Sequence, residues 1–290
     1  IIPAYNAAPL IGEALETIKL QTYQNWEVIV IEDGTYDGTE QMVQEFAQRV
    51  GEGKVKYMHQ ASNRGISETR NQGFMAARGT YIALLDHDDL WEPLHLELMI
   101  RHLKATQTDL VFAAANFIDF AGQQKLGLHA PSEQEWSNFP ESLFNRVYIP
   151  MSSVVIKKTV FEIVGGFDPE IKKTEDLDYW LRCAKAGLHF GYISEITNHY
   201  RQRNPKAQTA DKQDILEWHA RVLQKNWQLS PEPRTVGNKV LARYHLGVAR
   251  RNIKKDPLKA LEFMQCAFRI TPLGAISAMS WFVLEKIGKA

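Results

Sequence analysis

A chain of 290 residues with 44% hydrophobic residues can build a normal core and is too apolar to be disordered. Lys plus Arg (34) equals Asp plus Glu (34), so no polybasic field points to nucleic acid as a partner. The two cysteines, Cys183 and Cys266, lie far apart, form no metal-binding spacing and fit a reducing, cytoplasmic setting; no run reaches the roughly 18 apolar residues of a membrane span.

Ile1-Ile2 reads as the end of a strand, and Pro3-Ala4-Tyr5-Asn6 as the loop after it. Leu10, Ile11, Ala14, Leu15 and Ile18 recur on one helical face. Glu27 to Ile31 is a buried strand ending at Glu32-Asp33-Gly34, and Thr39 is placed to cap a helix carrying Met42, Val43 and Phe46. Val55 to Met58 is a short strand, Asn63-Arg64-Gly65 a turn, and Ser67 to Ala77 a helix. Tyr81 to Leu85 is the next strand; a helix with Leu94, Leu98 and Leu103 and a strand from Asp109 to Ala114 follow. Residues 116 to 150 read as a long functional loop. Ser152 to Ile156 resumes a strand, Gly165 to Pro169 turns, Glu175-Asp176 opens a helix, and Leu188 to Ile193 is strand-like. From Asp211 the pattern is helical. One helix pair broken at Asp256-Pro257 is similar to a single tetratricopeptide repeat, and Ile276 to Ile287 is a packing helix.

Strands alternating with helices at this spacing predict a doubly wound α/β sheet, whose ligands bind outside the carboxyl ends of the strands. Asn6, Asp33 and Asp86 to Asp89 stand at those ends. Three carboxylates within four positions, Asp86, Asp88 and Asp89, repel one another unless a cation joins them. Mg²⁺ or Mn²⁺ takes oxygen ligands, and one or two carboxylates leave room for substrate phosphates. The pattern therefore proposes a metal that holds a diphosphate. The plainer alternative is an acidic turn in which Asp89 caps the next helix, ahead of Trp91-Glu92-Pro93.

In order, Ile1-Ile2-Pro3-Ala4-Tyr5-Asn6, Gln21-Thr22-Tyr23-Gln24-Asn25-Trp26-Glu27, Glu32-Asp33-Gly34-Thr35, Asn63-Arg64-Gly65 with Arg70-Asn71-Gln72-Gly73, Asp86-His87-Asp88-Asp89, and Gly165-Gly166-Phe167-Asp168 with Glu175-Asp176 resemble the inverting family-2 glycosyltransferases of GT-A fold. The resemblance covers residues 1 to about 203 and implies an α/β GT-A domain with a doubly wound mixed sheet over residues 1–205, with a C-terminal α-helical extension over 206–290. Two stretches depart from the family pattern: Glu32-Asp33 stands for the usual Asp-Asp, and Arg201-Gln202-Arg203 for the usual Arg-x-His, which leaves a histidine metal ligand unsupported.

The resemblance implies a UDP-sugar donor, Mn²⁺ or Mg²⁺, and a carbohydrate or lipid-linked acceptor in polysaccharide or glycoconjugate synthesis. Pro3, Ala4, Tyr5, Asp33, Arg70 and Asp86 would bind the nucleotide, and Asp88 the metal. Asp33 would accept the uracil N3–H, a role a carboxylate can fill; Tyr5 offers a stacking face or a core anchor. Arg70 would meet base or phosphate, and Asp86 ribose or metal. Asp176 matches the family's general base, and Glu175 could stand in for it. A nucleotidyltransferase and a non-catalytic binding module are the rival readings. The first should show a Gly-rich, cationic loop after strand one, and Pro3 to Pro9 holds no Gly, Lys or Arg. The helical tail is expected to pack on a partner protein or to rest on the inner face of the membrane.

Overall fold

A computed structural model of the chain describes residues 1–202, 212–226, 234–253 and 255–270. Two compact units emerge, Ile1–Ser137 with Val147–Asn204, and Asn138–Arg146 with Pro205–Ala290.

The first unit opens with three parallel strands in the order β1 (Ile2–Ala4), β2 (Val28–Asp33), β3 (Val55–Gln60). Every residue of β2 is buried, as its run of Val and Ile requires of a strand covered on both faces. Helices α1 (Ile11–Lys19) and α2 (Thr39–Val50) cover this sheet with Ile11, Ala14, Leu15, Ile18, Val43 and Phe46. Thr39 does not cap α2. It is the first helical residue, and Asp37 accepts both its N–H (3.2 Å) and its hydroxyl (2.6 Å). The cap position itself is Gly38, at φ 97°, a backbone state that a side chain would strain.

Six further strands form a mixed sheet: β4 (Tyr81–Ala83), β8 (Val154–Lys157), β6 (Leu110–Ile118), β9 (Phe190–Arg201) and β5 (Leu90–Trp91) in that order, with β7 (Lys125–His129) paired to β6. β6 and β9 are parallel; β4–β8, β6–β8, β6–β7 and β5–β9 are antiparallel. Helix α3 (Ile66–Ala76) packs on β1 and β2, α4 (His95–Thr106) on β6, β8 and β9, and α6 (Lys158–Val164) on β8 and on α7 (Glu175–Lys185); α5 (Glu133–Ser137) follows β7. Three expectations change here. The loop expected over 116–150 holds β7 and α5. The strand expected to end at Ile193 runs to Arg201, because register shifts between Ala113 and Ala115 carry its partner β6 past the polar stretch. The strand expected to reach Leu85 stops at Ala83, and the chain turns at His87-Asp88.

The second unit contains α8 (Lys212–Asn226), α9 (Arg234–Asn252) and α10 (Pro257–Ile270). Ala220, Val248, Ala249 and Phe263 make one apolar cluster between them, and Ala242 with Ala267 another. The expected break is built by Asp256, whose carboxylate accepts the Lys259 N–H at 3.0 Å, with Pro257 at the first helical position. The helix expected over Ile276 to Ile287 lies outside the described residues. Among the described residues no helix is long and apolar enough to cross a membrane.

Candidate active site

The carboxyl ends of β1, β2 and β4 carry the polar residues. Pro3 and Ala4 are buried in β1, while Tyr5, just past it, is 50% exposed and so is no core anchor. Asp33 ends β2, and its carboxylate accepts N–H donors from Arg64 (2.6 Å), Gly65 (2.9 Å) and the Gln60 amide (3.2 Å). Gly34 makes this wrap feasible, since a Cβ there would fall 2.3 Å from the Asn63 nitrogen. Glu32, the departure from the family pattern, is buried and accepts hydrogen bonds from Thr35 (2.6 Å) and the Tyr57 hydroxyl. It therefore holds β2 to its neighbours, and the Tyr57 hydroxyl is pushed well up by burial and this bond.

The Asp86–Asp89 turn divides by task. The Asp86 N–H donates to the Ser152 hydroxyl at 3.0 Å, and its carboxylate accepts from Arg70 at 2.8 Å. His87 turns back to the Pro3 carbonyl, 3.3 Å away. The Asp88 carbonyl accepts Arg201 Nε at 2.7 Å. Asp89 is 1% exposed and does not cap α4, whose start lacks any side-chain cap. Its oxygens accept the Ser152 hydroxyl and the Arg201 N–H (2.8 Å), so it ties this turn to β8 and β9. Burial beside Asp88 and Asp86 pushes its carboxyl well above the usual range. Arg201 also reaches the Phe120 carbonyl and Glu13, both at 2.8 Å. It thus fixes the turn from behind.

At the start of α7, Glu175 accepts Arg70 Nη1 at 2.6 Å while Nη2 of the same guanidinium holds Asp86. Arg70 is 2% exposed, lies 5.5 Å from the Phe167 ring centroid, and has its pKa driven up by the two carboxylates. The structure thus places Arg70 between the two acidic corners. Asp176 accepts one hydrogen bond, from the Leu177 N–H at 2.8 Å. Burial and the adjacent Glu175 charge raise its pKa to about 7. Thr174, just before the helix, sits at φ 60° and ψ 30°, a left-handed state costing a β-branched residue about 1–2 kcal/mol. Its buried hydroxyl has no partner among the described residues.

Among the described residues no three His, Cys, Asp or Glu side chains converge as a metal cage. The residues that would hold a divalent cation are Asp86 and Asp88, whose carboxylates are hard oxygen donors; one or two such ligands would leave positions for diphosphate and water. His199 is engaged elsewhere, with Nε2 2.7 Å from the Glu92 carboxylate. Gln60, Ser152 and Arg201 were not anticipated as parts of the site. The one signal for them was Arg201, in the stretch set against the family's Arg-x-His, since their contacts cross 27 to 112 positions.

Solved structures similar to this chain include S. aureus TarS (residues 1-349) in complex with UDP-GlcNAc, at TM-score 0.70 and 15% identity, covering 94% of this chain and 81% of that one. A mannosyltransferase from Pyrobaculum calidifontis, in complex with GDP-Man and Mn²⁺, aligns at TM-score 0.63 and 17% identity over 98% and 83% of the two chains. The fold is that of the GT-A glycosyltransferases, with C-terminal helices added. An uncharacterized glycosyltransferase of Rickettsia typhi is 30% identical over 190 residues, 64% of this chain; the chain spans 58% of that relative's length. Residues 1–155 match the glycosyl transferase family 2 model, more than half of the 290, and the chain belongs to that family of enzymes.

Proposed function

We propose that this chain is the catalytic part of an inverting glycosyltransferase that moves a sugar from a UDP-sugar to an acceptor hydroxyl, in polysaccharide or glycoconjugate synthesis. The observation that carries this reading is the placement of Asp176 at the start of α7, next to Glu175, which Arg70 bridges to Asp86 on the opposite corner. Inverting transfer needs one general base and no covalent nucleophile. Asp176 takes the acceptor hydroxyl's proton as that oxygen attacks the anomeric carbon opposite the diphosphate. A base with pKa near neutral is ionised often enough to act and basic enough to accept the proton. Glu175 shares the helix start and supports the charge there.

Asp33 receives the nucleobase edge, exposed Tyr5 stacks on it, and Pro3 and Ala4 shape the floor beneath. Asp88, with Asp86, would hold Mn²⁺ or Mg²⁺ beside the diphosphate. Bound there, such a cation would supply charge compensation for the leaving group, so no protein acid would be needed there. The neighbours in complex with UDP-GlcNAc and with GDP-Man and Mn²⁺ support a nucleotide-sugar donor and a divalent ion. The acceptor is a carbohydrate or lipid-linked hydroxyl met in the cytoplasm or at the inner face of the membrane. Residues 1–205 act as the transferase domain, and 206–290 as a helical extension that docks a partner.

The test is incubation with a panel of UDP-sugars and Mn²⁺, with acceptor candidates, and identification of the released product. UDP release coupled to a new glycoside of inverted configuration is expected. Pyrophosphate would indicate nucleotidyl transfer instead, and neither product, with UDP still bound, a binding module.

A further inference from the structure

We infer that Arg70 is a positioning residue for the general base rather than a ligand of the nucleotide. This rests on the assignment of Asp176 as base. The guanidinium is 2% exposed, so it has almost no surface to offer a ligand. Two of its nitrogens are already committed, Nη1 to Glu175 (2.6 Å) and Nη2 to Asp86 (2.8 Å). The Phe167 ring lies 5.5 Å from it and itself stacks on Tyr179 of α7 at 4.2 Å. Moving Arg70 toward a nucleotide would strip two carboxylates of their partner in a buried setting, which is costly.

The next residue works on the same target. Asn71 accepts the Phe167 N–H and donates to the Phe167 carbonyl, both at 2.8 Å. Gly166 is packed so closely that a Cβ would lie 2.4 Å from the Asn71 side-chain oxygen. From the other side Arg182 of α7 donates to the carbonyls of Val164 (3.0 Å) and Gly166 (2.8 Å). The Arg70-Asn71 pair on α3 and Arg182 on α7 therefore grip one turn, residues 164–167, from two directions. Arg70 adds the grip on Glu175, the first residue of α7, and so helps place Asp176 one position further on.

The electrostatic consequence is specific. Among the side chains of the described residues, the charged groups facing Asp176 are Glu175 beside it, Arg70 from α3 and Asp86 from the β4 end, and Arg70 is the one cationic side chain; saturating Mn²⁺ keeps the proposed metal charge on Asp86 the same in every variant compared. Without Arg70, Glu175 and Asp86 act on Asp176 uncompensated, and the base holds its proton to higher pH. Without the Glu175 charge the shift runs the other way. A purely structural brace would leave the midpoint unmoved when Arg70 is replaced.

The experiment compares wild type, Arg70→Met, Arg70→Lys, Glu175→Gln and Asp176→Asn. It measures UDP affinity by calorimetry with Mn²⁺ and transfer against pH in the same preparations. For Arg70→Met the inference expects UDP affinity within about threefold of wild type. Its transfer should fall at least about tenfold near neutral pH and recover at higher pH, with the profile's midpoint up by about one pH unit. Arg70→Lys keeps the charge but loses the fork; its midpoint should move less, which preserves the test if the Met variant does not fold. Glu175→Gln should move the midpoint down. Loss of UDP affinity by about tenfold or more in both Arg70 variants, with the midpoint unmoved, would overturn the inference and make Arg70 a nucleotide ligand. Undiminished transfer by Asp176→Asn is a separate result: it would overturn the base assignment itself, whatever the Arg70 variants do.

Discussion

Asp89 and Asp176 are both carboxyls that burial pushes upward, at two corners of one site. At Asp89 both oxygens are taken, one by the Ser152 hydroxyl and one by the Arg201 N–H. Among the described residues, the Asp176 carboxylate accepts one hydrogen bond, from a backbone N–H, and the residue beside it is another carboxylate, Glu175. The first arrangement fixes three segments of chain to one another. The second leaves an oxygen able to take a proton from something else. On the proposed reading, what separates an anchor from a base here is how many lone pairs the fold has already filled, not residue type or depth.

Emptying the base corner gives the largest expected effect. Asp176→Asn keeps the shape and should lower transfer by about 10² or more while UDP-sugar affinity, measured by calorimetry, stays near normal. Equal losses in both would place Asp176 in the donor site and erase the contrast. The wild-type rate should rise with pH to a midpoint near about 7, because the base must be ionised. Stability should run the opposite way. A carboxyl whose pKa rises from an ordinary 3.8 to about 7 on folding favours the fold most at low pH and loses that contribution as pH climbs between those values. Asp176→Asn should therefore gain stability over wild type in urea titrations above neutral pH and show no advantage near pH 4.

Emptying the anchor corner should act on stability first. Asp89→Ala leaves a buried hydroxyl and a buried N–H without an acceptor and should cost about 2–4 kcal/mol in urea unfolding. If transfer fell while the unfolding midpoint held, Asp89 would belong with the chemistry. Between the corners, Asp88→Ala should weaken UDP binding by about tenfold and remove its dependence on Mn²⁺. Persistent Mn²⁺-dependent binding would move the metal off Asp88. The smallest change is Thr174→Gly. Relief of the left-handed strain should stabilise the fold by about 1 kcal/mol, with a modest loss of transfer as the start of α7 loosens.

The ends of the strands were legible because apolar runs such as Val28 to Ile31 stop abruptly at acids. Asp33, Asp86, Asp88 and Asp176 could be singled out by that pattern and by the family resemblance. Their partners could not. Arg70 meets Glu175 across 105 positions, and Ser152 meets Asp89 across 63, so no local spacing announces either pair. β7 was missed because it is only five residues long, its Leu126 and Leu128 alternate around Gly127, and nearly all of it is exposed. β9 was cut short because Ser194, Glu195 and Asn198 interrupt its apolar run while β6 still carries its hydrogen bonds. Thr39 looked like a cap because Thr often is one; Asp37, two residues earlier, took the task.

The clamp on Asp89 also sets an order for assembly. The parallel sheet of β1, β2 and β3 uses residues 2 to 60 and can form as soon as they emerge. The Arg201 N–H that closes on Asp89 lies 112 positions downstream, which takes on the order of 10 s to synthesise at ordinary rates. Until then Asp86, Asp88 and Asp89 stay hydrated, and their mutual repulsion is screened by water. The acids of the 86–89 turn are thus pinned only when the last strand arrives with the arginine that holds them.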